Sequence, residues 1–299
     1  MNLSSQCQQW QRGDIQQTSC AMHTFLGALT MRKTLIAAAM LATFGVTQAQ
    51  TTNVDGGTTA SSIISVGISN VNAQPFGPHK PGYPGVSPDG SNYIDLDGIS
   101  TSSRFVDTVA GFNHYYLPGY THTAPGGGTV TTHINWVRIP SAGEDVYFGL
   151  ATNPGSSSHN HAAYHVGDRT GYAVPASNTS YSVGGLLATP GTAANDPVIL
   201  TGTLSYVASY VSVTGTLSGT NTGSSTVHTL GISATDFSSN GPGTFNGTST
   251  YSSSAGASGS GVSSGHFYGN GVGAGNSTIA GIANSTSGDA YVASFGGKN

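Results

Sequence analysis

Charge is what this sequence has least of. Lysine and arginine number 8 in 299 residues, aspartate and glutamate 12, and charged residues make up 7% of the chain. Cysteine occurs only at Cys7 and Cys20. Past residue 50 there is none, which excludes a disulfide framework and a thiolate metal site in that part. Five basic residues remain there, Lys80, Arg104, Arg138, Arg169 and Lys298, against eleven acidic ones. Nucleic acid and anionic membrane surfaces both need clustered Lys and Arg, so neither is an expected partner. Helix formers such as Glu, Lys and Gln are nearly missing past residue 50, and no segment there repeats with a helical period. The apolar run Leu35 to Val46 spans 12 residues, well short of the roughly 20 that a spanning helix requires.

That run has another use. Residues 31–50 read "MRKTLIAAAMLATFGVTQAQ". Arg32 and Lys33 follow a methionine, the apolar core comes next, and Thr-Gln-Ala closes the segment, which is the pattern of a secretory signal peptide. Such a signal works at an N-terminus. The reading therefore starts translation at Met31, leaves residues 1–30 untranslated and assigns 31–49 to the signal, cleaved after Ala49. No cysteine stands near that point to carry a lipid. The expected product is freely secreted, with no membrane span, and is not a lipoprotein.

The remaining chain alternates with period two. In "SIISVGISNV", Ile64, Val66 and Ile68 share a face. "PFGPHKPGYPGVSPDG" holds five prolines and is expected to leave no room for a central strand. From about residue 172, "SYSVGGLL", "VILTGTLSYV", "YVSVTGTLSG", "HTLGISA", "GTFNGTS", "GVSSGHFYG", "STIAGIA" and "AYVASFGG" give eight strands at short intervals. Small residues alternate with aliphatic ones, which suits a barrel closed on its own side chains. The alternate positions are mostly Ser, Thr, Gly and Asn, so the outer face is expected to meet water and not lipid. The fold class is all-β: an N-terminal β-rich handle, 50–165, followed by a C-terminal eight-stranded antiparallel β-barrel, 166–299.

Histidine is concentrated instead of spread. Nine lie past residue 50, and seven of these fall between His79 and His165. "FNHYYLPGYTHT" (residues 112–123) sets two imidazoles among aromatic rings. If extended, Phe112, His114 and Tyr116 share a face, which offers one axial nitrogen flanked by two rings. His79 sits in the Pro- and Gly-locked "FGPHKPGY", with Lys80 placed for a propionate. His114 with His79 is the preferred iron-ligand pair, with His122 and His133 in reserve. Arg104 and Arg138 are candidate propionate partners, because a guanidinium matches a carboxylate. For any one of these histidines a solvent-facing strand or loop position is the plainer reading, and for either arginine an ordinary surface cation.

In "SHNHAAYH", His159, His161 and His165 share a face if extended, where two imidazoles could converge on Zn²⁺. No cysteine completes such a site, and the segment reads chiefly as structural. "GVSSG" matches G-x-S-x-G, and "GNGVGAG" is glycine-rich. Neither is followed by the helix that its chemistry needs, so no catalytic residue is assigned and the chain is not read as an enzyme.

Several segments together resemble the β-barrel domain of transferrin-binding-protein-like surface and secreted proteins of Gram-negative bacteria. They are "HAAYHVGDRTGYAVP", "LTGTLSYVASYVSVTGTLSG", "FNGTSTY", "GHFYGNGVGAGNSTIAGIA" and "VASFGGKN". "VYFGLATNPG" and "SVGISNV" are similar to the hemophilin branch of secreted haem-binding proteins. The resemblance implies a handle that binds haem b, a barrel engaged by a Slam-type outer-membrane translocator, and delivery of haem to a TonB-dependent receptor. Host haemoglobin is a possible haem source, and a monomer is expected. The alternatives are a host-protein-binding, transferrin-binding-like protein without haem, and a structural or adhesive β protein.

Overall fold

The computed structural model describes residues 53–71, 79–100, 104–124, 127–140, 145–154, 160–168, 173–237, 243–269, 277–288 and 290–299. The signal-peptide reading and its cleavage point lie outside the described residues, as do His159 and Arg169.

The eight strands expected in the C-terminal half all form. They are β10 (Thr179–Ala188), β11 (Val198–Val207), β12 (Ser212–Thr220), β13 (Val227–Asp236), β14 (Thr244–Ser253), β15 (Ser258–Tyr268), β16 (Thr278–Ser285) and β17 (Val292–Lys298). Each pairs antiparallel with the next, and β10 pairs with β17 to close the barrel. Alternation sorts the side chains. Tyr181, Val183, Leu200, Leu204, Leu217, Phe245, Phe267 and Phe295 fill the inside, while Thr201, Thr203, Thr214, Thr248 and Ser252 face out. The apolar face is inward and the free outer wall is hydroxylated, the reverse of a lipid-facing barrel.

Ahead of the barrel lies a six-stranded antiparallel sheet. It comprises β1 (Val54–Thr58), β5 (Phe105–Val109), β6 (Phe112–Thr123), β7 (Thr129–Ile139), β8 (Val146–Thr152) and β9 (His161–Asp168), in the order β1-β9-β8-β7-β6-β5. "HAAYHVGD" therefore belongs to this sheet as β9, and the first barrel strand starts at Thr179.

A small sheet of β2 (Ser65–Ile68), β3 (Pro84–Ser87) and β4 (Ile94–Asp95) follows the order β2-β3-β4, and a short helix, α1 (Leu96–Ser100), comes after it. Here the sequence expectation is corrected. The proline-rich stretch does hold a central strand, fully buried. Pro84 occupies the first strand position, where a missing N–H is tolerated, and Gly85, Val86 and Ser87 carry the ladder before Pro88.

The six-stranded sheet is the middle layer. One face packs Leu117, Ile134, Trp136, Tyr147 and Tyr164 against Ile64, Val86, Ile94, Leu96 and Ile99 of the small sheet and helix. Its other face lays Val137, Ile139, Phe148 and Leu150 on the outer wall of the barrel, against Leu186, Ala188, Ala280 and Ile282. Close approach depends on missing side chains. A Cβ added at Gly184 on the barrel would stand 2.4 Å from Val109 Cγ1, and one at Gly296 would stand 2.7 Å from Phe148 Cδ1.

Candidate functional site

The barrel-facing side of the middle sheet carries a row of polar rings. Phe112, His114 and Tyr116 share that face, as strand alternation requires, with Val137 opposite His114 and Asn135 opposite Tyr116. His114 is buried, and its Nε2 lies 3.1 Å from Asn135 Oδ1. An amide oxygen only accepts, so Nε2 carries the proton and Nδ1 holds a lone pair. That Nδ1 is buried without a partner. Burial depresses the pKa of His114 and keeps the ring neutral, outweighing the hydrogen bond to Asn135. Tyr116 stacks on His133, with its hydroxyl 2.5 Å from His133 Nδ1. Desolvation lowers the pKa of His133 as well. Phe112 packs into the seam with the barrel.

The other expected residues lie elsewhere. A bulge between Leu117 and Tyr120 resets the alternation of β6. It turns His122 to the opposite face, where Nε2 lies 2.8 Å from Thr132 Oγ1. Arg138 is bound by Asp97 at 3.0 Å and by Asp145, so two carboxylates already occupy its guanidinium. Arg104 accepts the Tyr116 N–H through its carbonyl, and its own Nε is buried without a partner.

His79 enters the small-sheet layer, and its neighbour Lys80 donates its N–H to Asp95 Oδ2 at 3.1 Å. His79 is 4% exposed, and neither ring nitrogen has a partner. Lys80 Nζ lies 5.5 Å above the Tyr83 ring. His79 and His114 thus belong to opposite sides of the middle sheet. The structure does not bring them together, and one planar ligand cannot be clamped between both.

His161 and His165 do share a face of β9, yet they turn to different neighbours. His161 Nδ1 lies 2.9 Å from Thr152 Oγ1, and His165 Nδ1 lies 2.7 Å from Tyr268 Oη. Among the described residues no group of three or more His, Cys, Asp or Glu side chains is placed to hold a metal ion.

The barrel half of this last contact escaped the sequence reading. His266 and Tyr268 flank the inward Phe267, so alternation alone turns both outward. Two rings on an outer wall rich in Ser and Thr signal a covered patch, and that signal was present in "GHFYG". The rings of His165 and His266 meet edge to face at 4.9 Å. They border a cavity of about 330 Å³ whose lining also includes Asp55, Thr58, Asn246 and Ser264.

No family model matches the chain, and no curated protein matches it. Solved structures do. The intact Ap-TbpB with its N and C lobes is 15% identical, with a TM-score of 0.44, over 82% of this chain and 46% of that one. A surface lipoprotein is 14% identical, with a TM-score of 0.40, over 81% of this chain and 98% of its own. A mutant of the vaccine antigen transferrin binding protein B from Haemophilus parasuis Hp5 is 15% identical, with a TM-score of 0.39, over 82% of this chain and 45% of its own. This chain spans less than half the length of the first and the third.

Proposed function

We propose that this chain is a non-catalytic binding protein working outside the cell, whose N-terminal layers take haem through His79. One observation carries the reading: an imidazole 4% exposed with both nitrogens unpaired. Leaving a buried polar atom unsatisfied costs about 1–3 kcal/mol, so such a residue marks a place where a ligand repays the cost. When bound, haem supplies an iron that takes a neutral imidazole nitrogen as axial ligand. Lys80, next to His79 in the chain, is the cation on hand for a propionate, since Arg138 is already neutralised by two aspartates. His122 and His133 are engaged by Thr132 and Tyr116, and a ligand at either would have to displace those bonds.

The barrel is the rigid scaffold in this reading. Export through a Slam-type translocator, haem drawn from host haemoglobin and delivery to a TonB-dependent receptor join it through the sequence resemblance alone.

Titration of the purified chain with haemin, followed through the Soret band, tests the reading. Wild type and His114→Ala are expected to give a saturable complex, and His79→Ala is expected to lose it. A wild type that stays colourless overturns haem binding. Loss on His114→Ala with retention on His79→Ala moves the site to the barrel side of the sheet.

A second reading, capture of a host protein, is favoured by the edge strand β5. Phe105 and Val106 are 56% and 50% exposed on it, and such an apolar edge can accept a partner strand. Phe105→Ser with Val106→Lys is expected to abolish capture while sparing haemin binding.

A further inference from the structure

The segment that carries His79 is clamped from two sides. On one side stands Ser69, 2% exposed. Its hydroxyl donates to the Lys80 carbonyl and accepts the Tyr83 N–H at 3.0 Å, and its carbonyl accepts the Gly82 N–H at 2.8 Å. On the other side stands Asp95, 1% exposed. Its Oδ2 accepts the Lys80 N–H at 3.1 Å, and its Oδ1 accepts the Gly98 N–H at 3.0 Å. Lys80 is therefore held at both its N–H and its C=O, which fixes the chain as it leaves His79.

The two oxygens of Asp95 have different tasks. Oδ1 caps α1, which is ordinary work for a carboxylate. Oδ2 serves no cap and is given to the peptide that joins His79 to Lys80. Each oxygen accepts an N–H, which is the arrangement of the ionised group. Burial raises its pKa from the ordinary carboxylate value, and the N–H groups of Gly98, Lys80 and Asp97 oppose that rise. No Lys or Arg side chain pairs with Asp95 among the described residues. Lys80 Nζ lies over the Tyr83 ring, and Arg138 is held by Asp97 and Asp145. A buried negative charge without a cation favours a ligand that brings one.

We propose that Asp95 is the positioning residue and the counter-charge of the His79 seat: it pins the peptide that follows the imidazole and favours ferric over ferrous haem there. The inference rests on the haem reading above.

Ferric haem carries one positive charge more than ferrous haem. Bond lengths and the hydrogen bond to Lys80 keep Asp95 Oδ2 within about 12 Å of an iron held by His79. Across that distance, at an effective dielectric constant of about 20, a unit charge shifts an equilibrium about tenfold.

Wild type, Asp95→Ser and Ser69→Ala together test the proposal. Asp95→Ser retains a helix cap and removes the charge. Ser69→Ala releases the Lys80 carbonyl and leaves the charge in place. The first readout uses no haem. Amide hydrogen exchange at Lys80 is expected to rise about tenfold in Asp95→Ser, as one hydrogen bond to a charged group is lost. Unchanged exchange overturns the positioning role. The second readout is the dissociation constant for ferric haemin and, without air, for haem reduced with dithionite. Wild type is expected to bind the ferric form about tenfold more tightly, or better. Asp95→Ser is expected to lose about tenfold from that ratio, while Ser69→Ala weakens both forms alike and keeps it. A wild type that takes neither form removes the haem reading itself. A wild type that binds both equally, a ratio unchanged in Asp95→Ser, or a ratio lost to the same extent in Ser69→Ala leaves haem binding standing and overturns the counter-charge. If Asp95→Ser does not fold, the wild-type ratio decides alone.

Discussion

Asn135 joins three parts of the molecule. Its Oδ1 receives His114 Nε2, its Nδ2 donates to the Ala194 carbonyl at 2.6 Å, and its own carbonyl accepts the Tyr164 hydroxyl at 2.9 Å. The first bond fixes the tautomer of His114, and the second ties the middle sheet to the loop between β10 and β11. Asn135→Ala would strand one buried polar group, His114 Nε2–H, and one half-buried one, the Ala194 carbonyl, the first at about 1–3 kcal/mol. A loss of roughly 2–4 kcal/mol in urea unfolding is expected, together with a rise in exchange at residues 192–196. If the variant unfolds within about 1 kcal/mol of wild type, the site is wet and the tie is weak.

At the scale of elements, the barrel was the most readable part. Its strands alternate cleanly, and each reports its own face without help from neighbours. The β6 segment was half readable. Alternation placed Phe112, His114 and Tyr116 correctly on one face, but the Pro118–Gly119 bulge reversed the parity and carried His122 to the other side. β3 was missed because prolines were counted without their positions. The separation of His79 from His114, expected as a pair, was not legible at all. Which face of a third element a loop packs on is a tertiary fact with no local signature.

The sheet-on-barrel seam makes its own prediction at this scale. Gly296 sits on the outer side of β17, where a side chain would meet Phe148 at 2.7 Å and Ile139 at 2.9 Å. Gly296→Val is expected to lever the sheet outward and to lower stability by about 1–3 kcal/mol, the usual range for overpacking. A thermal melt checks it, and an unchanged midpoint would mean that the seam is looser than these distances imply.

The whole molecule should have a stability plateau bounded on both sides. Burial holds His114, His133, His161, His165 and His228 below the ordinary histidine pKa. The unfolded chain takes those protons near pH 6.5 while the native state resists them, so stability falls as pH drops below that value. Buried Tyr147, Tyr164 and Tyr181 are pushed above the ordinary tyrosine pKa. Above about pH 10 the unfolded chain ionises first, so stability falls again as pH rises. Urea midpoints from pH 4.5 to 11 are expected to be flat between about pH 7 and 9.5 and to decline at both ends. A midpoint that keeps rising from pH 7 toward pH 5 would contradict this assignment of buried neutral imidazoles.

The strand that closes the cylinder, Val292–Lys298, is the last of its eight in the chain, and it also lies beneath the middle sheet. No stretch of chain ahead of it can close the cylinder. The front layers emerge first, and part of the wall they settle on is missing until the final strand arrives. Such non-local pairing makes assembly late and slow. Until the tail arrives, its two partners in the cylinder, β10 and β16, keep open edges.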